Sequence, residues 1–239
     1  MPTFLEQVED PARGHAVDDK GTPTAMVAFG GLAGGMVIPP FEFFGLAGQM
    51  SVSKIFIRDI HQSWYSRGVD GLGSDLTGVA HGLRDLLDAM GAEPAVFGAS
   101  AGGFAAIAAS LIAGFPEVHA FGPQMSLRRG DRFKARDRRW GTNVRALRRA
   151  PAASRIDTLV DSLRSNTTTE VNIYVANDNR PDLGQVALLG EPAPPLVSVH
   201  RYDVGGHSFV RSLRDSGDLA TILTGAVRRA EERASQGRS

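Results

Sequence analysis

Short apolar runs alternate with stretches of helical spacing along most of the chain. TAMVAF (24–29), SKIFI (53–57), PAVFG (94–98), EVHAF (117–121), VNIYVA (171–176) and LVSVHRY (196–202) predict strands. Between the second and third runs, SDLTGVAHGLRDLLDAMG (74–91) keeps Leu76, Val79, Ala80, Leu83, Leu86, Leu87 and Met90 on one helical face. Ser74 is the expected cap at its start and Gly91 its end. AGGFAAIAASLIAG (101–114) is apolar nearly all round, as a helix pressed against the middle of a sheet must be. Near-continuous apolar strands separated by helices predict an α/β fold, a mostly parallel sheet covered by helices on both faces. No period of repeat length recurs, so residues 1–239 read as one domain, with an N-terminal segment over 1–23 and a polar tail over about 228–239.

Composition narrows the chemistry. The 26 basic and 26 acidic side chains cancel, giving no global pull toward nucleic acid or an anionic membrane. With no cysteine, disulfides, thiolate catalysis and cysteine metal sites are excluded, and no cofactor or metal is implied. The opening MPTFLEQVEDPARGH lacks the apolar core of a signal peptide, and no run reaches the roughly 20 apolar residues of a membrane span. A cytoplasmic protein is expected. Charge is nevertheless segregated: residues 128–155 hold eleven basic side chains against two acidic ones, leaving 15 and 24 elsewhere. This block belongs to a cap-like insertion over about 124–168; it is either a solvated face or a surface for an anionic glycan, phospholipid or acyl carrier. Apart from Trp140 it lacks the aromatic interleaving of a nucleic-acid platform.

GASAGG (98–103) places Ser100 between an apolar strand and an apolar helix. Small neighbours Gly98, Ala101 and Gly102 leave room for a strained turn that would lift the hydroxyl clear of the backbone. The other reading is a small residue at a tight turn. A serine nucleophile needs a base and a carboxylate to orient it. His207, in DVGGHSF, follows the last strand, and Asp178, in YVANDNRPD, follows the one before, so both fall at carboxyl ends of strands, where ligand sites of open sheets gather. Asp182 lies four residues on and is the alternative acid. The turn FGGLAGG after residues 24–29 offers backbone N–H groups: Gly31 and Ala101 are the candidate oxyanion donors, with Gly30 and Leu32 beside them. At the end of another strand, Arg58 could grip an anion and Trp64 or Tyr65 form an apolar wall; the alternative is that they anchor a loop.

Together FGG, GASAGG, ND and GGH resemble the oxyanion turn, elbow, acid and base positions of the α/β-hydrolase superfamily, over residues 24–227. Two departures stand out: no opening antiparallel strand is evident before Thr24, and Phe29 stands where the family often has histidine. IRDIHQSWYSRG, AFGPQ and NDNRPD are similar to hydrolase-like proteins of bacterial glycan export, surface-polysaccharide and accessory secretion systems. The resemblance implies a serine hydrolase acting on a small-molecule or glycan ester through Ser100, His207 and Asp178. It leaves open an O-acyltransferase, or a binding or assembly component on the same fold.

Overall fold

All six apolar runs join one sheet, and a seventh strand precedes them. The computed structural model describes residues 3–32, 43–147, 155–203 and 209–237. Its strands are β1 (His15–Asp18), β2 (Thr24–Phe29), β3 (Ser53–Ile57), β4 (Glu93–Ala99), β5 (Glu117–Phe121), β6 (Glu170–Ala176) and β7 (Val197–Tyr202), in the order β1-β3-β2-β4-β5-β6-β7. Only β1 runs antiparallel, against β3; every other pair is parallel. The antiparallel strand absent from the sequence reading is therefore present as HAVD. Four residues with a single buried side chain, Ala16, are too few to show a period. His15, within the N-terminal segment read over 1–23, sits in this strand.

The helices are α1 (Phe4–Glu9), α2 (Phe44–Ala47), α3 (Leu76–Met90), α4 (Ala101–Ala113), α5 (Arg129–Lys134), α6 (Gly141–Leu147), α7 (Val160–Arg164), α8 (Arg180–Ala187), α9 (Phe209–Ser216) and α10 (Asp218–Gln236). Both sheet faces are covered, and the alternation along β2 shows how. Ala25, Val27 and Phe29 pack with α3 and α4, whereas Met26 and Ala28 pack with α1, α9 and α10. Residues 101–110 of α4 are all buried, which accounts for its lack of a polar face. The cap of α3 is Asp75, whose carboxylate accepts from the Gly78 N–H at 2.8 Å, one residue beyond the expected Ser74; Gly91 ends the helix at φ 60° as expected.

Residues 228–236, read from sequence as part of a polar tail, are the last turns of α10, with Ala230 and Ala234 buried. Its arginines reach back to the sheet: Arg229 Nη2 lies 2.6 Å and Arg233 Nη1 3.2 Å from the Glu117 carboxylate. His119 Nε2 is 2.9 Å from the same carboxylate, and His119 Nδ1 is 2.8 Å from the Tyr174 hydroxyl. A carboxylate only accepts, so Nε2 carries the proton and Nδ1 accepts from tyrosine. Burial opposes ionisation of Glu117, yet His119 and Arg229 hold its pKa down at about 2.

Candidate active site

The parallel strands β2 to β7 end along one edge, and the chemistry-bearing loops meet there. Ser100, directly after β4, has φ 51° and ψ −118°, a conformation an L-residue adopts only where surroundings enforce it. Its N–H donates to the Phe121 carbonyl at 2.8 Å, tying the turn to β5. The residue is half-buried, and its hydroxyl does not cap the helix it precedes. Gly102 explains the neighbourhood: a Cβ there would collide with the Phe29 and Gly30 carbonyl oxygens, so only glycine lets the end of β2 lie on the first turn of α4.

That approach brings the FGG turn beside Ser100. Gly30 is pinned, its N–H donating to the Ile57 carbonyl at 2.8 Å and its carbonyl lying 2.8 Å from the Tyr65 hydroxyl. No described residue accepts from the Gly31 N–H, and Ala101 opens α4, where an N–H has no partner within the helix. Leu32 is buried beside them.

Sequence reasoning missed Gln124. It is buried three residues beyond β5, and its Nε2 donates to Ser100 Oγ at 3.3 Å while its Oε1 accepts from the Trp64 indole N–H at 3.0 Å. The rule that singled out His207 and Asp178, polar residues at carboxyl ends of strands, applies to Gln124 equally. Trp64 is thus a buried clamp. Its loop is shaped by Asp59, whose carboxylate accepts from the N–H groups of His61, Ser63 and Tyr65, and Gln62, Trp64 and Tyr65 all take positive φ. Burial raises the Asp59 pKa, against the pull of those three donors.

Two expectations for this edge are corrected. Arg58 does not reach toward Ser100: its Nε donates to the Arg13 carbonyl at 2.6 Å and its Nη2 to the Asp10 carbonyl, fastening the N-terminal segment. Tyr65 is fully buried behind the Gly30 turn and forms no wall of an open site.

On the acid loop after β6, Asp178 is exposed and Asp182 wholly buried. Asp182 Oδ2 accepts from Asn179 Nδ2 at 2.5 Å, and its Oδ1 lies 2.8 Å from Arg139 Nη1. Arg139 also pairs with Asp137 at 2.9 Å, and Asp137 accepts from Gln185 Nε2 at 3.0 Å. Burial would raise the Asp137 pKa, but Arg139 and Gln185 hold it below its ordinary value. Arg139 of the basic block is therefore tied internally to two carboxylates. His207 lies outside the described residues. Phe209, at the start of α9, and Asp182 Oδ2 both approach Gly122. Among the described residues no group of His, Asp and Glu is placed to hold a metal, and no helix is long and apolar enough to cross a membrane.

A parallel sheet with one antiparallel strand and helices on both faces is an arrangement shared with known structures. A capsule O-acetyltransferase of Neisseria meningitidis serogroup A superposes with a TM-score of 0.63 at 14% identity, over 88% of this chain and 90% of that one. A carboxylesterase of Nitrososphaera gargenis gives 0.54 at 13% identity, over 90% and 94%. The fold is that of the α/β hydrolases. A Gap123 glycosylation-associated complex from Streptococcus agalactiae matches at 0.58 and 14% identity, over 87% of this chain and 42% of that one. The glycan-linked likeness read in the sequence thus reappears among α/β-hydrolase structures. No protein-family model matches the chain, nor does any curated protein. At these identities the likeness establishes the α/β-hydrolase fold, and chemistry has to be argued from the site.

Proposed function

We propose that the chain is a serine hydrolase that cleaves carboxylic esters through a covalent acyl-enzyme. The observation that carries this reading is the conformation of Ser100: strained backbone at a strand-to-helix turn, with a hydroxyl that does not cap the helix it precedes. His207 takes the Ser100 proton as Oγ bonds to the ester carbon. The carbonyl oxygen gains the electron pair and is held by the Gly31 and Ala101 N–H groups, aided by the N-terminal dipole of α4. Collapse breaks the bond to the alcohol, which leaves with the proton from His207. Water then gives a proton to His207 and bonds to the acyl carbon, and Oγ departs and recovers that proton.

Asp178 orients the imidazole. Asp182, the alternative, already serves Arg139 and Asn179 with its two oxygens, which favours a structural role for it. The substrate we propose is a glycan ester. A groove of about 220 Å³ between the loop after β3 and α6, lined by His61, Arg67, Thr142 and Asn143 without any carboxylate, offers hydrogen-bonding partners to sugar hydroxyls. Likeness to the capsule O-acetyltransferase supports a second outcome for the same acyl-enzyme, in which a sugar hydroxyl replaces water.

Labelling with a fluorophosphonate tests the reading. Wild-type protein is expected to take the label and Ser100→Ala to lose it, by about a thousandfold or more in rate, with an unchanged melting temperature. Folded wild-type protein that resists the probe would refute the nucleophile. Release of acid from a 4-nitrophenyl ester, with and without added polysaccharide, separates hydrolysis from transfer.

A further inference from the structure

We infer that the Gln124 amide is a third fixed donor of this site, acting on the nucleophile oxygen itself, and that Trp64 is the residue positioning it. The inference rests on the hydrolase reading above.

The orientation of the amide follows from the partners. An indole N–H can only donate, so the atom facing Trp64 Nε1 at 3.0 Å must be Oε1, and the NH₂ group is thereby turned onto Ser100 Oγ at 3.3 Å. Neither end of the clamp has room to relax: Gln124 and Trp64 are each 2% exposed. Trp64 holds φ 51°, within a loop organised by three N–H donors converging on Asp59. Strained backbone is thus maintained at both ends of the two hydrogen bonds through Gln124, at Trp64 and at Ser100.

A donor on Oγ has consequences that an ordinary tether lacks. With one lone pair of Oγ occupied by Gln124, the serine hydrogen is directed to another acceptor, as a general base requires. When that hydrogen leaves, the amide stabilises the charge growing on Oγ. In the second half of turnover Oγ is the leaving group, and the same N–H stabilises it again as its bond to the acyl carbon breaks. The hydrogen bond is long in the resting site, and its contribution grows as Oγ becomes anionic.

The variant Gln124→Glu separates this role from a structural one. It keeps shape and the oxygen that Trp64 needs, and replaces the donor on Oγ by an acceptor. At pH 8 its rate of Ser100 labelling by a fluorophosphonate is expected to fall about 10- to 100-fold. Lowering the pH through the titration of the new carboxyl restores a donor, so the variant regains rate relative to wild type as the pH falls. Trp64→Phe, which keeps Gln124 but frees its amide, is expected to lose a smaller factor and to keep the wild-type pH profile. A labelled wild type together with a Gln124→Glu protein of equal rate and equal pH profile overturns this inference alone. A wild type that takes no Ser100-dependent label overturns the hydrolase reading and this inference with it.

Discussion

Two polar sites adjoin β5, one on the strand and one at its carboxyl end, and they invite comparison. Glu117, His119 and Tyr174 form a chain of carboxylate, imidazole and hydroxyl with spacings of 2.9 and 2.8 Å, the order of groups that nucleophilic catalysis uses. Yet every polar atom of it is matched, two arginines of α10 close it, and His119 is stacked between Phe97 and Tyr174. Ser100 is the reverse: half-buried, in a strained conformation, its oxygen touched among the described residues by one long hydrogen bond. Complete satisfaction makes a fastening, whereas a strained group with bonding capacity in reserve makes a reagent. Types of residue in contact therefore distinguish these clusters less than access and unspent valence do.

The largest expected effect sharpens the reactive side. Asp178→Asn should slow labelling and ester turnover by about 10³- to 10⁴-fold while leaving the melting temperature in place, because the imidazole loses its orientation. Asp182→Asn should act on stability instead. It removes one of the two carboxylates that pair with Arg139, at a cost of about 1–3 kcal/mol in chemical denaturation. An exchange of these two outcomes would assign the acid to Asp182.

On the sealed side, His119→Ala should leave labelling of the folded protein intact. It should destabilise by about 2–4 kcal/mol, since both Tyr174 and Glu117 lose a partner and a cavity opens. Reduced labelling in that variant, at full folding, would break the contrast between the clusters. A smaller effect tests the charge. Glu117 has its pKa depressed from 4.5 to about 2, so its contribution is complete above about pH 4.5 and disappears as the pH falls toward 2. Melting temperatures measured across that window should decline for wild type, with a shallower decline for Glu117→Gln.

β2, β3, β4 and β5 were legible because they are buried on both faces and so write near-continuous apolar runs; β1, with one buried residue, leaves almost no mark. The elbow was legible because its demands are local: glycine where carbonyls crowd, small residues around a turn. Gln124, Arg58 and Arg139 were not, because their meaning lies in partners far along the chain, Trp64 and Ser100 for the first, carbonyls of residues 10 and 13 for the second, Asp182 for the third. The same distance hid α10, whose polar-looking end is defined by a carboxylate on β5. Asp75 displaced Ser74 as the cap of α3 by a single position, both being good acceptors of the same kind.

The all-round apolar character of α4 has a bearing on how the chain is made. This helix is completed during synthesis before β5 and β6 exist, yet it is against them, among others, that its side chains are packed. Until those strands arrive, the segment directly after Ser100 is a sticky cylinder with no cover, the kind of intermediate that associates with other nascent chains. The strained backbone at Ser100 is thus assembled only after the ribosome has moved well past it, and yields of folded protein should depend on growth temperature and folding assistance more than final stability alone would suggest.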